Sequence, residues 1–401
     1  MSIDPFSWID EIAETRARQG LTRRLIAIRP GAPGRVEQDG RPLLNFSSND
    51  YLGLAGDPRL VEAAGRAAGR FGWGSGASPL VSGWTEAHRE LAEAIADFEG
   101  AEAVALFPTG YAANLGTIAA LVGPGDAVYG DRLNHSSLIQ GVRLSGARLR
   151  VYPHGDTDRL ASVLARDQGR FRRILIATDG VFSMDGDLAP LPELVALADR
   201  VGAMLLVDEA HGTGVFGDDG RGSASALGVA DRVPIRLGTL SKALGSLGGF
   251  VAGSRRLVDH LINHAPTLVY STAMPAAAAA AAGEALRISR EEPWRRERVH
   301  EIGRRLRSRL RAEGFAIPDS EGPIVPVILG EAAEACEAAA FLRESGLLVP
   351  AIRPPTVPRG EARLRISLTA ALEDDAIDRL VEVMRGIRED RGRGDRRSDP
   401  E

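Results

Sequence analysis

At 401 residues the chain is long enough for one large domain and a smaller companion. Its 44% hydrophobic and 26% charged residues are those of an ordinary soluble globular protein, and a net charge of -5 argues against nucleic acid or an anionic membrane as partner. The single cysteine, Cys336, excludes an internal disulfide framework and a cysteine-based zinc site, and its alanine-rich surroundings suggest a small core residue.

In chain order, residues 1–30 read as an amphipathic helix and a short linker. They lack the apolar core of a signal peptide, and no stretch offers 18 uninterrupted apolar residues, so a cytoplasmic protein without a membrane span is expected. Residues 31–48 alternate like a hairpin, with turn signals at Pro33-Gly34 and Asp39-Gly40. After NDYLGL (49–54), an Ala/Gly-rich helix and the loop 72–83, a helix is expected from Thr85 to a stop at Gly100. Strand-like stretches at 103–107, 127–131, 148–153, 172–178, 203–208, 235–240 and 250–253 then alternate with helical ones. That alternation predicts an α/β fold with a doubly wound, mainly parallel sheet, and ligands at the carboxyl ends of its strands. Helices from about Ala276 to Glu313 lead into a smaller α/β domain. The expected divisions are an N-terminal segment 1–48, a large domain 49–285, a small domain 286–388 and a disordered charged tail 389–401.

Chemistry concentrates between Ala203 and Gly249. Asp208 ends a run of apolar residues, and His211 follows three residues later. Lys242, in the small and apolar setting LSKALGSLGG, is the only lysine in the chain. A lysine there can serve as a nucleophile that forms an imine with an aldehyde cofactor, and a carboxylate at a strand end can keep a pyridine nitrogen protonated. Taken alone, Asp208 also reads as a structural cap of the following turn, a common role. DEAH has no second His/Asp/Glu cluster to make a metal site with, so none is expected. Thr109-Gly110-Tyr111 follows a strand and opens a helix, where backbone N–H groups can hold phosphate, and Thr239 and Ser241 add hydroxyls near the lysine. GTGVFG (212–217) matches a dinucleotide fingerprint in letters only, because no helix opens after it. The RGD at 393–395 is read as chance, and the missing G-x-S-x-G elbow disfavours a serine hydrolase.

The motifs NFSSNDYLGL (45–54), GSGASPLVSG (74–83), DRLNHSSL (131–138), TDGVFSMDGDLAPLPEL (178–194), VDEAHGTGVFG (207–217), TLSKALGSLGG (239–249), YSTAMP (270–275) and ARLRISLTAA (362–371), in this order, resemble the α-oxoamine synthases of the fold-type I pyridoxal-phosphate enzymes. The resemblance runs from about residue 20 to 385. It implies pyridoxal 5′-phosphate as cofactor, a homodimer with shared active sites, and an acyltransferase that condenses an amino acid with an acyl thioester while losing carbon dioxide. The nearest branch uses L-alanine and a pimeloyl group on CoA or acyl carrier protein, in biotin biosynthesis. Sibling activities are glycine C-acetyltransferase, 5-aminolevulinate synthase and serine palmitoyltransferase; an aminotransferase is a remoter alternative.

By the same resemblance, Lys242 carries the cofactor, Asp208 pairs with the ring nitrogen and His135 stacks on the ring. Ser183 and His211 bond the phenolic oxygen. Gly110, Tyr111 and Thr239 hold phosphate with Thr272 from a partner subunit. Arg365 binds the amino-acid carboxylate, while Asn49 and Arg23, adjacent to Arg24, line the substrate entrance. Two departures from the common pattern, Pro79 in place of arginine and Asp179 in place of glutamate, lie outside the bond-making chemistry.

Overall fold

The computed structural model describes residues 4–395, and contacts divide the chain into two units: residues up to Ser48 with those from Glu301 onward, and Asn49–His300. The first unit opens with α1 (Trp8–Arg18), which buries none of its residues, then β1 (Arg29–Pro30), β2 (Arg35–Gln38) and β3 (Arg41–Asn45). Asp39 and Gly40 turn the β2–β3 hairpin with φ of 51° and 75°, the positive pair that matches strand twist.

The second unit begins with α2 (Pro58–Phe71) and α3 (Glu86–Glu99). Thr85 and His88 form a capping box at the start of α3, and left-handed Gly100 ends it. Strands and helices then alternate: β4 (Ala103–Phe107), α4 (Gly110–Leu121), β5 (Ala127–Asp131), α5 (Ser136–Ser145), β6 (Arg148–Tyr152), α6 (Thr157–Arg166), β7 (Ile174–Asp179), α7 (Leu191–Val201), β8 (Met204–Asp208), α8 (Ser223–Ala226) and β9 (Ile235–Thr239). β10 (Gly249–Gly253), α9 (Arg255–His264), α10 (Pro266–Val269) and α11 (Ala276–Glu291) complete the set. The seven strands form one sheet in the order β4-β10-β9-β8-β7-β5-β6. Every pair from β9 to β6 is parallel; β10 alone runs against both neighbours.

Because side chains alternate along a strand, this sheet feeds two cores. Leu206, Leu175 and Ala177 join one, while Leu205, Val207 and Ile176 join the other. Burial on both faces explains why these strands read as continuous apolar runs. It also directs the polar residues at their carboxyl ends, Asp131, Asp179, Asp208 and Thr239, to one edge of the sheet.

The rest of the first unit comprises α12 (Trp294–Ala312, which begins in the second unit), β11 (Ile324–Gly330), α13 (Ala332–Glu344), β12 (Leu347–Leu348), β13 (Ala351–Ile352), β14 (Ala362–Ser367) and α14 (Asp374–Asp395). β11 and β13 flank β14 in antiparallel pairing, and Val325, Leu364, Ile366 and Leu380 share its core. Two boundaries differ from the sequence expectation. Residues 1–48 join the C-terminal unit because β3 pairs in parallel with β12, Leu44 opposite Leu347, and Phe46 packs into the same core. The division falls at residue 300 rather than 285, since α11 packs on α2 and α3. The tail also departs: α14 continues to Asp395 through 389–395, where a helix already nucleated adds one hydrogen bond for each residue it fixes. The rest of the tail expected to be disordered, 396–401, lies outside the described residues. Cys336 on α13 is half-buried rather than fully in the core.

Candidate active site

The site is built at the carboxyl edge of the seven-stranded sheet. β4 leads through Pro108 and Thr109 into α4, and the Thr109 hydroxyl caps that helix by accepting from the Ala112 N–H at 3.0 Å. The amides of Gly110 and Tyr111 lie in the first turn, where an α-helix leaves its N–H groups without intrahelical partners. The backbone is close-packed here. A Cβ at Gly110 would lie 3.3 Å from Cβ of Thr239, and a Cβ at Gly249 would come within 2.6 Å of the Gly110 backbone. Only glycines let β10 and the end of β9 approach the helix start so closely.

Asp208, buried at the end of β8, is held from two sides. Its Oδ1 accepts from the Ala210 N–H at 2.9 Å and its Oδ2 from Asn114 Nδ2 at 2.6 Å. Asn114 also reaches Ser137 Oγ at 2.9 Å. Asp179 stands opposite Asp208 in the β7–β8 ladder, and its Oδ2 accepts from the His135 N–H at 2.6 Å. Burial pushes the Asp179 carboxyl well above the usual carboxylate range, and the neighbouring charge of Asp208 pushes the same way.

His135 caps α5 from the end of the β5 loop. Its Nδ1 lies 2.7 Å from Ser137 Oγ, and the Tyr111 ring meets it edge-on with centroids 6.4 Å apart. Burial lowers the His135 pKa, opposed by Asp208 and assisted by the Lys242 charge, so the ring is neutral at neutral pH. A neutral imidazole beside a buried carboxylate is suited to lying against an aromatic ligand.

Lys242 follows β9 after a turn in which Thr239 Oγ1 donates to the Gly248 carbonyl at 2.9 Å and accepts from the Ser241 N–H at 3.2 Å. Its Nζ lies 2.7 Å from His211 Nε2, and His211 Nδ1 lies 2.6 Å from the Tyr51 hydroxyl. Ser183 is half-buried in the loop after β7, which the Val181–Leu188 bridge closes. Asn49 meets Tyr51, its Oδ1 accepting from the tyrosine hydroxyl at 3.1 Å. Thr272 is exposed between α10 and α11, in a segment whose Ala273 N–H bonds the Ala77 carbonyl. The first unit carries the remaining two: Arg23 is exposed ahead of β1, and Arg365 is buried on β14 with Nη1 2.6 Å from Ser367 Oγ.

Sequence reasoning did not single out Asn114 or Tyr51. Asn114 could have been found from its spacing, since it lies four residues after Gly110 and so on the same helix face. Tyr51 carries no such signal, because 160 residues separate it from His211.

A phosphorylated pyridine aldehyde fits this donor set. A helix start with exposed amides in a glycine-lined cradle suits phosphate, a doubly held buried carboxylate suits a protonated ring nitrogen, and a lysine amine suits the aldehyde. Among the described residues no cluster of three or more His, Cys, Asp or Glu forms a metal site, and no helix is long and apolar enough to cross a membrane.

Residues 41–384 match the family described as aminotransferase class I and II. The chain is 52% identical over 379 residues to the 8-amino-7-oxononanoate synthase of Alkalilimnicola ehrlichii, covering 94% of this chain and 96% of that one. The enzyme of the same name from Methylococcus capsulatus is 51% identical over 385 residues, covering 96% and 98%. Among solved structures, serine palmitoyltransferase of Sphingomonas wittichii superposes with a TM-score of 0.92 at 32% identity, over 97% of this chain and 99% of that one. The 8-amino-7-oxononanoate synthase of Francisella tularensis superposes with a TM-score of 0.75 at 27% identity, over 86% and 97%. The chain therefore belongs to the class I and II aminotransferase family of pyridoxal-phosphate enzymes, in its α-oxoamine synthase branch alongside the 8-amino-7-oxononanoate synthases.

Proposed function

We propose that the protein condenses L-alanine with a pimeloyl thioester, forming 8-amino-7-oxononanoate, carbon dioxide and free thiol on the way to biotin, as a cytoplasmic homodimer. One observation carries this reading: identity of 52% and 51%, over nearly the whole of each chain, to chains named for that activity. The absence of a membrane-crossing helix among the described residues agrees with a cytoplasmic setting.

Bound at this site, pyridoxal phosphate supplies an aldehyde for the amino acid's nitrogen and an electron-poor ring for the electron pair left on its α-carbon. Lys242 would anchor it, and its Nζ is the base that would take the α-proton and later return one. Asp208, held by its two hydrogen bonds, would keep a proton on the ring nitrogen. His135 covers the ring face, and Ser183 and His211 face the phenolic oxygen. The Gly110 and Tyr111 amides hold phosphate, joined by Thr239 and by Thr272 of the partner subunit. Arg365 receives the amino-acid carboxylate, and Asn49 and Arg23 line the entrance.

The test is thiol release measured with alanine, glycine or serine against pimeloyl, acetyl, succinyl and palmitoyl thioesters, with the pimeloyl group offered on CoA and on acyl carrier protein. Alanine with a pimeloyl thioester should be turned over fastest. A preference for glycine with acetyl or succinyl, or serine with palmitoyl, assigns the chain to a sibling activity. Amino-group transfer to a keto acid without thiol release would make it an aminotransferase.

A further inference from the structure

Tyr51 is fully buried, and its hydroxyl sits between two polar atoms: Asn49 Oδ1 at 3.1 Å and His211 Nδ1 at 2.6 Å. The far nitrogen of the same imidazole, Nε2, lies 2.7 Å from Lys242 Nζ. The two ends of this chain of contacts independently demand one direction of hydrogen bonding. An ammonium has donors and no acceptor, so Lys242 can only donate, and Nε2 must present its lone pair. A neutral imidazole with a bare Nε2 carries its proton on Nδ1, which must then donate to the tyrosine oxygen. From the other end, a carboxamide oxygen can only accept, so the tyrosine proton points to Asn49 and leaves the phenolic oxygen as acceptor for Nδ1–H.

We propose that Tyr51 is a positioning residue of the cofactor site: its hydroxyl, backed by Asn49, holds the His211 imidazole in the tautomer protonated at Nδ1, so that Nε2 stays an acceptor aimed at Lys242. The chain of contacts keeps the Lys242 amine in one orientation at the strand end before the cofactor arrives, and it strengthens the hold of that amine on its proton. Without the hydroxyl, a proton on Nε2 would face the ammonium and repel it. Asp179 and His135 also act on Lys242 electrostatically, but neither is joined to Tyr51 by these bonds. The inference rests on Lys242 being the cofactor lysine and is independent of which acyl group the enzyme uses.

The composition offers a direct readout. Lys242 is the only lysine, so the full chain labelled with 13Cε-lysine gives one side-chain signal, whose titration reports this amine alone. In the absence of added cofactor, Tyr51→Phe should lower the titration midpoint by about one pH unit, a tenfold loss of proton affinity. In a His211→Phe background the same substitution should have no further effect, because Tyr51 acts through that imidazole. Asn49→Ala, which removes only the outer acceptor, should shift the midpoint in the same direction by less. It supplies the answer if Tyr51→Phe does not fold. An unmoved midpoint overturns the proposal, as does an equal shift with and without His211, which would mark a merely structural effect. Failure of borohydride to fix pyridoxal phosphate on Lys242 would instead overturn the cofactor assignment on which the proposal rests.

Discussion

Asn114 Nδ2 lies 2.6 Å from Asp208 Oδ2, which ties the first turns of α4 to the end of β8. The same amide nitrogen reaches Ser137, so one buried side chain links the first turns of α4, the Asp208 carboxylate and the α5 start. Replacing it with leucine leaves the Asp208 carboxylate with only its Ala210 amide. A hydrogen bond to a charged group is worth about 1.5–3 kcal/mol. Asn114→Leu should therefore weaken pyridoxal-phosphate affinity by about tenfold to a hundredfold, read by cofactor titration of the apoprotein. Unchanged affinity would show that Asp208 is held well enough by the backbone alone.

Lys242→Ala removes the only side-chain amine in the protein. Borohydride treatment of the wild-type enzyme with pyridoxal phosphate should fix one label in the peptide containing Lys242. The variant should take up none there and should lose turnover. Residual turnover in the variant, or no label at Lys242 in the wild type, would overturn Lys242 as the anchor.

Gly249 lies where a methyl group would sit 2.6 Å from the backbone of Gly110. Backbone cannot give way as a flexible side chain can, so Gly249→Ala should displace the α4 start and cut cofactor retention by about tenfold or more, an estimate equivalent to one lost charged hydrogen bond. Gly283→Ala, in α11 where an added Cβ meets nothing within 4 Å, is the control. It should leave cofactor binding intact and stabilise the helix by about 0.5–1 kcal/mol.

His154 bridges Asp131, at 3.0 Å, and Asp187, at 2.8 Å, and so fastens the end of β5 to the loop that carries Ser183. Burial acts to lower its pKa, but the hydrogen bonds and charges of the two aspartates outweigh it and raise the value from 6.5 to about 10. A folded pKa above the unfolded one means that the stabilisation is complete below about 6.5 and is lost as pH rises through about 10. His154→Gln should therefore cost about 2 kcal/mol near neutrality, an estimate for charged hydrogen bonds. The wild-type advantage in thermal melts should shrink toward zero above pH 10. An advantage independent of pH would mean that packing against Phe182, 4.4 Å away edge-on, is the dominant contact.

Much of this protein was determined by local sequence. Burial on both faces makes the central parallel strands continuous apolar runs, and these, like the partly exposed edge strand β6, were legible to within two residues at each end. Asp208, Thr239 and Lys242 announced themselves because each follows such a run, where α/β folds present ligand-binding groups. The Asp39-Gly40 turn and the Thr85 and Gly100 helix ends were equally local, resting on backbone angles and caps within a few residues. The tertiary structure alone decided what joins elements distant in the chain. It seated residues up to Ser48 with the C-terminal unit through Leu44 and Leu347, whose pairing no periodicity encodes. It brought Asn114 to Asp208 across 94 residues and Tyr51 to His211 across 160. Hydrogen bonds of that kind depend on where folded strands and helices end in space. Local sequence therefore specified the polar groups at the strand ends, and the folded sheet edge specified the partners that hold them in place.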